Sequence, residues 1–411
     1  MLHLKIIYPL AIVSVVCWIV YMGVHVTLDT QTYIDAVKKS LSNGMIDQWR
    51  LPVYPLLLGS VKLIFGDCFL WAVIILQNLV FLLTIRYFHG LLHWITDSDR
   101  LAFWLTLYYA LSPGIVCYNN YVVTESLAIS FSVFLAWGLK TMLSENAWRG
   151  VVIVTVFVGL TVFMRPAQIY LLPVFLAIFG GMAFVQRYRR AALYGLGGVL
   201  FVTISFLAYM GVFKSNYGIY SPSAIGTVNQ FYIGRYYDLI RKDDLQHDEI
   251  GACLSDSQDE KNNSVLFIEA YSAIRNVGLK EANDEIIYAM RRDPGGWIKA
   301  AWDRFCRSGY DRLFAIGPSK YYLIPFSVKM SSVYCFVAAF LLSLCYWVAK
   351  NKKIPWFIAT LSLLVLANLT VSILGAQSEW WRLAFPSVPF LILMAGQAVS
   401  FVTRINKVNN G

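Results

Sequence analysis

The sequence predicts an all-α polytopic membrane protein with about ten transmembrane helices, and two observations support this prediction. Of the 411 residues, 58% are hydrophobic and only 14% are charged. Soluble proteins carry about 25% charged residues, so the composition excludes a soluble multidomain enzyme, a coiled coil and a disordered chain. Apolar runs of about twenty residues also recur along the chain, and this length crosses a hydrocarbon core of about 30 Å.

Ten apolar runs are predicted to span the membrane: residues 6–24, 68–88, 101–118, 122–143, 150–164, 168–185, 191–213, 325–349, 354–374 and 383–402. A further run, residues 51–65, is shorter, begins with two prolines and contains Lys62. Runs of this length are more often interfacial than spanning. We therefore expect residues 51–65 to form an interfacial helix.

Basic residues indicate the orientation of these spans. With ten spans and a cytoplasmic N-terminus, most Lys and Arg residues of short loops fall inside, including Arg187, Arg189 and Arg190. An eleven-span version with the N-terminus outside also satisfies this rule, but it places Asp29 and Glu125 on opposite sides. We prefer ten spans with both termini inside. The same bias explains the formal charge of +10 without nucleic acid.

Three regions follow from this topology. Residues 1–213 form an N-terminal transmembrane module, whose first outer loop, 27–67, contains a polar helix capped by Asp29 and the interfacial helix. Residues 214–324 form an extracytoplasmic loop domain of roughly a hundred residues, and residues 325–411 form C-terminal transmembrane helices. Aromatic and basic residues alternate over residues 297–314, which predicts an amphipathic helix in the headgroup layer.

Charged residues cluster at the outer ends of the predicted spans. They are Asp29, Glu125, Arg165, Glu379 and Arg382, and all fall on one membrane face. Charges at membrane depth are costly, so two or three carboxylates and two arginines at one interface indicate a site for an anionic lipid headgroup with proton-transfer chemistry.

Each of these residues also has a structural interpretation. Asp29 is a good helix N-cap, and a carboxylate in a first helical turn, such as that of Glu125, is favourable without any further role. Arg165 and Arg382 are also suited to anchor their spans at the interface. Residue type alone leaves both interpretations open.

Cysteine and histidine give weaker signals. Cys253 and Cys306 both lie in the predicted loop domain, where a disulfide and two unpaired thiols are equally compatible with the sequence. His247 is followed by Asp248 and Glu249, which resembles a metal cluster only superficially, and a solvated polar loop is the favoured interpretation.

The order of the motifs carries more information than any single residue. Asp29-x3-Tyr33 is followed by Arg50-x-Pro-x-Tyr54-Pro, by Glu125 at the start of the fourth span and by Arg165-Pro166 at the end of the fifth. Near the C-terminus stands Glu379-x2-Arg382-x3-Pro386. This layout resembles the GT-C glycosyltransferases that use polyprenyl-phosphate sugars, and within them the branch of protein O-mannosyltransferases, aminoarabinose transferases and RgtA-like enzymes.

The resemblance implies a role for each matching residue. Asp29 is the expected catalytic base or acceptor-binding carboxylate, and Glu125 is the second catalytic carboxylate of the same cavity. The donor phosphate would be bound by Arg50, Arg165 and Arg382, and the substrate would be contacted by Tyr33, Tyr54 and Glu379. At the position of the motif the chain has the single Asp29 where protein mannosyltransferases have an acidic pair, and no metal triad is evident, so no cofactor is expected and a divalent metal is not indicated.

The resemblance also implies a reaction and its partners. A sugar would move from a polyprenyl-phosphate donor to a hydroxyl of a lipid, glycan or protein acceptor, by a single inverting displacement. We expect this at the extracytoplasmic face of a bacterial inner membrane, among membrane lipids and without nucleic acid. The alternatives are a polymerase or ligase of polyprenyl-linked glycans and a transporter or flippase of lipid-linked sugars. Ionisable residues at one rim, rather than in mid-span, favour chemistry at the interface over translocation.

Overall fold

A computed structural model describes residues 2–43, 46–144, 146–255, 263–308, 356–375 and 380–409, and these ranges are helical, without a β-strand. The α-helices in them are α1 (Leu2–Met22), α2 (Leu28–Asn43), α3 (Val53–Phe65), α4 (Phe69–Thr96), α5 (Asp99–Leu111), α6 (Pro113–Tyr118), α7 (Glu125–Ser144), α8 (Ala147–Val162), α9 (Leu171–Ala183), α10 (Arg189–Tyr217), α11 (Ile225–Tyr236), α12 (Asp248–Gly251), α13 (Asn263–Ser272), α14 (Leu279–Arg292), α15 (Pro294–Ser308), α16 (Trp356–Gly375), α17 (Trp380–Ala384) and α18 (Val388–Asn409).

Seven helical stretches within the described ranges are long and apolar enough to cross a membrane. They are His3–Met22, Val53–Thr96, Glu125–Ser144, Pro166–Ala183, Arg189–Tyr217, Trp356–Gly375 and Arg382–Ser400, and the shorter apolar helix Ala147–Val162 lies among them. The prediction of an all-α polytopic membrane fold is confirmed. The total of ten spans stays a prediction, and the predicted span 325–349 lies outside the described residues.

The membrane helices run between two ends of one bundle. At one end, which we call the far end, the rings of Trp94 and Phe357 lie 5.0 Å apart, and the Ser400 hydroxyl donates to the carbonyl of Thr96 over 2.8 Å. At the opposite end, which we call the site end, the Asn229 side chain donates to the carbonyl of Gly375 over 2.6 Å. The charged residues discussed below lie at the site end.

Residues 101–118, predicted as one span, form two helices instead. Helix α5 ends at Leu111, Ser112 leaves the helical conformation with ψ 112°, and Pro113 begins α6. Proline lacks an N–H donor and excludes the helical conformation at the residue before it, so it starts a new helix here and does not continue the old one. The short α6 carries the chain to the loop that precedes α7.

Residues 51–65 contain the helix α3, which has 13 residues and is followed by a 3₁₀ turn, Gly66–Cys68, before α4 begins. Thirteen residues extend about 20 Å at 1.5 Å per residue, which is shorter than the hydrocarbon core. Helix α3 packs against α2 and α4. Its length agrees with the predicted interfacial role.

The helices α7 and α8 approach each other closely, and a glycine makes this approach possible. A Cβ atom at Gly150 of α8 would collide with the backbone of Met142 on α7. Small residues allow this kind of backbone contact between membrane helices. Helix α7, which begins at Glu125, is therefore packed closely against α8 near its C-terminal end.

A loop domain, residues 218–308, contains helices α11 to α15 and has its own apolar core around Val228, Phe231 and Ile286. A buried ion pair joins Arg235 Nε to Glu269 Oε2 at 2.8 Å. Cys253 and Cys306 are both free thiols, so the unpaired alternative holds in this structure.

The predicted polar loop around His247 is also part of this domain. The backbone N–H of His247 donates to Glu285 Oε2 over 3.1 Å. No group of three or more His, Cys, Asp or Glu residues in the described part of the chain is placed to hold a metal ion.

Candidate functional site

Two loops meet at the site end and bring the first carboxylates together. The backbone N–H of His25 donates to the carbonyl of Asn120 over 2.9 Å, and the N–H of Val122 donates to the carbonyl of His25 over 3.2 Å. The Thr30 hydroxyl adds a buried bond of 2.9 Å to the carbonyl of Val122. The start of α2, with Asp29, is thereby fixed beside the start of α7, with Glu125.

The cap of α2 is formed by threonines. Thr27 Oγ1 accepts from the N–H of Thr30 over 3.3 Å, and Thr30 Oγ1 accepts from the N–H of Thr27 over 3.0 Å. This reciprocal arrangement is a capping box, and Asp29 lies within the first turn that it caps. The prediction that Asp29 caps the helix was wrong, and its carboxylate is available for other contacts.

Both oxygens of the Asp29 carboxylate contact arginines. Arg50 Nη2 donates to Oδ1 over 2.6 Å, and Arg382 Nη2 donates to Oδ2. About a quarter of the Asp29 side chain remains exposed. Burial raises the pKa of Asp29, but the charges of Arg382 and Arg50 outweigh this effect and hold the pKa well below its usual range. Asp29 is therefore an ionised carboxylate in this state of the site.

Arg50 is held from several sides. The Asp47 carboxylate accepts from the backbone N–H of Arg50 over 2.8 Å, which shapes the turn before α3. The guanidinium donates through Nε to Thr32 Oγ1 over 2.6 Å and lies 4.3 Å from the centre of the Tyr33 ring. Such a cation–π contact orients a planar guanidinium while leaving its edges for anions.

Glu125 and Arg165 form a deeper layer beneath Asp29. Glu125 is 1% exposed and Arg165 is 4% exposed. Arg165 Nη2 donates to Glu125 Oε1 over 3.4 Å, whereas Arg165 Nη1 has no hydrogen-bond partner among the described residues. A buried guanidinium with an unused donor is costly unless a ligand or water accepts from it.

Arg382 connects the two layers. Its Nη2 contacts Asp29, and its Nε lies 2.7 Å from Glu125 Oε1. Three arginines thus face two carboxylates, which leaves one positive charge in excess within the described part of the site. The arrangement suits a singly or doubly charged anion, because guanidinium groups bind phosphate oxygens through charge-assisted and often bidentate hydrogen bonds.

The predicted aromatic residues lie in different places. Tyr33 contacts Arg50, whereas Tyr54 is fully buried behind Tyr33, with its ring 4.8 Å away, and donates from its hydroxyl to Gln77 over 2.9 Å. Tyr54 would therefore not touch a substrate directly and would act only by supporting the ring of Tyr33. Glu379 lies outside the described residues.

Sequence reasoning missed the uncharged polar residues that hold the loop before α7. Gln77 Nε2 donates to the carbonyls of Asn119 and Tyr121 over 3.0 and 2.9 Å, and the Ser126 hydroxyl donates to Asn119 Oδ1 over 2.5 Å. The pair Gln77-Asn78 inside an apolar run was the signal for this role, because a buried amide needs partners.

The fold is similar to that of an archaeal membrane enzyme. One match is the oligosaccharyltransferase AglB from Archaeoglobus fulgidus in complex with an inhibitory peptide and a dolichol-phosphate, with a TM-score of 0.50 and 15% identity. Another is the Archaeoglobus fulgidus oligosaccharyltransferase tethered to an acceptor peptide containing the NVT sequon, with a TM-score of 0.51 and 13% identity. The matches cover 100% and 97% of this chain.

The chain spans about half the length of these enzymes, 52% and 49% of the matched chains. At this level of identity the matches show the fold alone, so the fold that the resemblance implies is confirmed, while the branch of glycosyltransferases stays a prediction. No protein-family model matches the sequence, and no curated protein matches it.

Proposed function

We propose that this protein is a membrane glycosyltransferase that moves a sugar from a polyprenyl-phosphate donor to a hydroxyl of an acceptor. The observation that carries the proposal is the excess of arginine over carboxylate at the site end, with Arg382 placed between Asp29 and Glu125. The dolichol-phosphate bound to AglB, which shares this fold, supports a lipid phosphate as the anion.

The donor phosphate would bind to Arg50, Arg382 and Arg165. Arg165 Nη1 is buried and has no hydrogen-bond partner among the described residues, so it could donate a hydrogen bond to a phosphate oxygen. In the reaction, the acceptor hydroxyl oxygen would form a bond to the anomeric carbon as the bond from that carbon to the phosphate oxygen breaks. The polyprenyl phosphate would leave with the bonding electron pair, and arginines would stabilise its growing charge.

Asp29 would take the proton of the attacking hydroxyl. The free site holds Asp29 ionised between Arg50 and Arg382, where its lowered pKa makes it a weak base. A donor phosphate that competes for these two arginines would weaken their hold on the carboxylate and raise its basicity. The acid–base role of Asp29 would thus be expressed only when the donor is bound.

The orientation of the protein in the membrane follows from the charges of its loops. Because Lys and Arg concentrate in the loops of the far end, the far end would face the cytoplasm and the site would face the opposite side. In a bacterium the reaction would then take place at the outer face of the inner membrane. The acceptor class is a lipid, a glycan or a protein. The peptide tethered to the archaeal enzyme adds support for the last of these.

A direct test uses purified protein in nanodiscs with a panel of polyprenyl-phosphate sugars and acceptors. We expect release of polyprenyl phosphate together with a glycosylated acceptor for one pair, and release slowed by roughly 10²-fold or more with the Asp29→Asn variant. If no pair is turned over, and vesicles containing the protein instead carry intact lipid-linked sugar across the bilayer, the protein is a flippase and the proposal fails.

A further inference from the structure

Helix α15 presents an apolar stripe that the domain core does not cover. Ile298, Trp302 and Phe305 are 72%, 66% and 38% exposed. Their spacing of four and three residues places them on one face of the helix. The rings of Trp302 and Phe305 lie 5.8 Å apart and nearly parallel, so the two side chains form one continuous surface.

The other face of α15 is fixed to the loop domain. Ala300 is 1% exposed, and Trp297 packs against the domain core. Asp303 accepts from the Tyr237 hydroxyl over 2.8 Å. These contacts set the rotation of the helix, so the stripe faces away from the loop domain.

One hydrogen bond of α15 and one of α11 in the same loop domain end on the same membrane helix. Arg304 Nη1 donates to the carbonyl of Leu374 over 3.1 Å, and Asn229 Nδ2 donates to the carbonyl of Gly375 over 2.6 Å. Both acceptors belong to the last turn of α16, a membrane-spanning helix of 20 residues. The end of a spanning helix lies where hydrocarbon meets headgroups, so α15 lies at this boundary.

We propose that the stripe Ile298, Trp302 and Phe305 inserts into the headgroup layer of the surrounding bilayer and holds the loop domain on the membrane surface. The composition fits this environment, because tryptophan favours the boundary between headgroups and acyl chains. The exposed Lys299 follows Ile298 and is suited to lipid phosphates.

The same anchor would keep the loop domain close to the arginine site. Tyr271 of α13 stacks on Trp49 with the ring centres 4.4 Å apart, and Trp49 directly precedes Arg50. A domain attached to the bilayer through α15 and to the first loop through this stack has two fixed points. This lipid contact is independent of the proposed reaction.

Tryptophan fluorescence in nanodiscs tests the proposal. The emission of Trp302 is the difference between the spectra of the wild type and of Trp302→Phe. The emission of Trp297, which lies on the buried face of the same helix, is the difference between the spectra of the wild type and of Trp297→Phe. With phospholipids brominated at shallow acyl carbons, we expect roughly twofold or greater quenching of Trp302 relative to Trp297. Two results would overturn the proposal: quenching of Trp302 by aqueous acrylamide but not by bromine, which indicates water, and quenching by neither, which indicates a protein partner.

Discussion

Arg382 lies between Asp29 and Glu125 and contacts both carboxylates, through Nη2 and through Nε. These acids come from helices whose first residues are almost a hundred positions apart in the chain. One guanidinium therefore bridges a partly exposed carboxylate and a buried one. The arginine would hold two negative charges close to each other without a metal ion.

Replacement of Arg382 should show whether the planar shape of its guanidinium is needed or only its positive charge. Arg382→Ala removes the shared contact and should reduce glycosyl transfer by about 10²–10³-fold, as for the loss of one donor that stabilises developing charge. Arg382→Lys should restore only part of the activity, since an ammonium cannot span both carboxylates. Transfer rates of the purified variants check this. The matched control is Arg189→Ala, at an exposed position of the far end. Equal transfer rates for Arg382→Ala and this control would show that Arg382 is only an interfacial anchor.

Asp29→Asn tests the proposed base. Because Thr27 and Thr30 form the cap of α2, the variant should keep this helix although Arg50 and Arg382 lose the charge of Asp29, whereas transfer should fall by roughly 10²–10⁴-fold. Asp29→Glu moves the charge by about one methylene and should lose part of the activity. Steady-state transfer and thermal unfolding are measured on the same preparations. Undiminished transfer by a folded Asn variant would contradict the assignment.

A divalent cation should not be needed. Each Asp29 oxygen already contacts a guanidinium, and the site carries an excess positive charge, so a cation would have to displace an arginine against repulsion. We expect the transfer rate to be unchanged after EDTA treatment. Loss of activity in EDTA with recovery upon addition of Mg²⁺ or Mn²⁺ would show that the site rearranges around a metal.

The loop domain should lose stability in acid because of Glu269. Burial raises the pKa of this carboxyl, but the hydrogen bonds from Arg235 and Ser255 outweigh burial and lower the pKa below its ordinary value of 4.5. A group whose pKa is lower in the folded than in the unfolded state stabilises the fold above its unfolded pKa. That stabilisation is lost as the pH falls through the folded value.

Hydrogen exchange of α13 amides, corrected for intrinsic rates, should therefore accelerate below about pH 4.5 in the wild type. Glu269→Gln leaves Arg235 without a charged partner and should open α13 at neutral pH, at a cost of about 3–5 kcal/mol. The exposed variant Asp248→Asn serves as control. Identical acid profiles for wild type and Glu269→Gln would exclude this explanation.

The orientation can be tested by cysteine labelling in a background without native cysteines. Arg275→Cys lies on the exposed surface of the loop domain, and Arg187→Cys lies at the far end between α9 and α10. An impermeant maleimide should label the first in intact cells and the second only after permeabilisation. The reverse pattern would place the site in the cytoplasm.

The sequence predicted the features that depend on strong local signals. Apolar length revealed most of the spans, and charges at the ends of these spans identified Asp29, Glu125, Arg165 and Arg382, which the structure brings together. A hydropathy window averages over about nineteen residues, so it did not register the break that Pro113 imposes. The roles of Thr30 and Gln77 depend on carbonyls far away in the chain, and a single sequence does not reveal such pairings.

The joint between His25 and residues 120–122 combines main-chain hydrogen bonds with a contact between the rings of His25 and Tyr121, whose centres lie 4.4 Å apart. These bonds require a backbone donor at positions 25 and 122 and do not depend on the identity of a side chain. Proline is the exception, because at position 25 or 122 it would remove one of these N–H groups. Homologues could thus diverge in sequence around this joint and still keep the same pair of carboxylates in register.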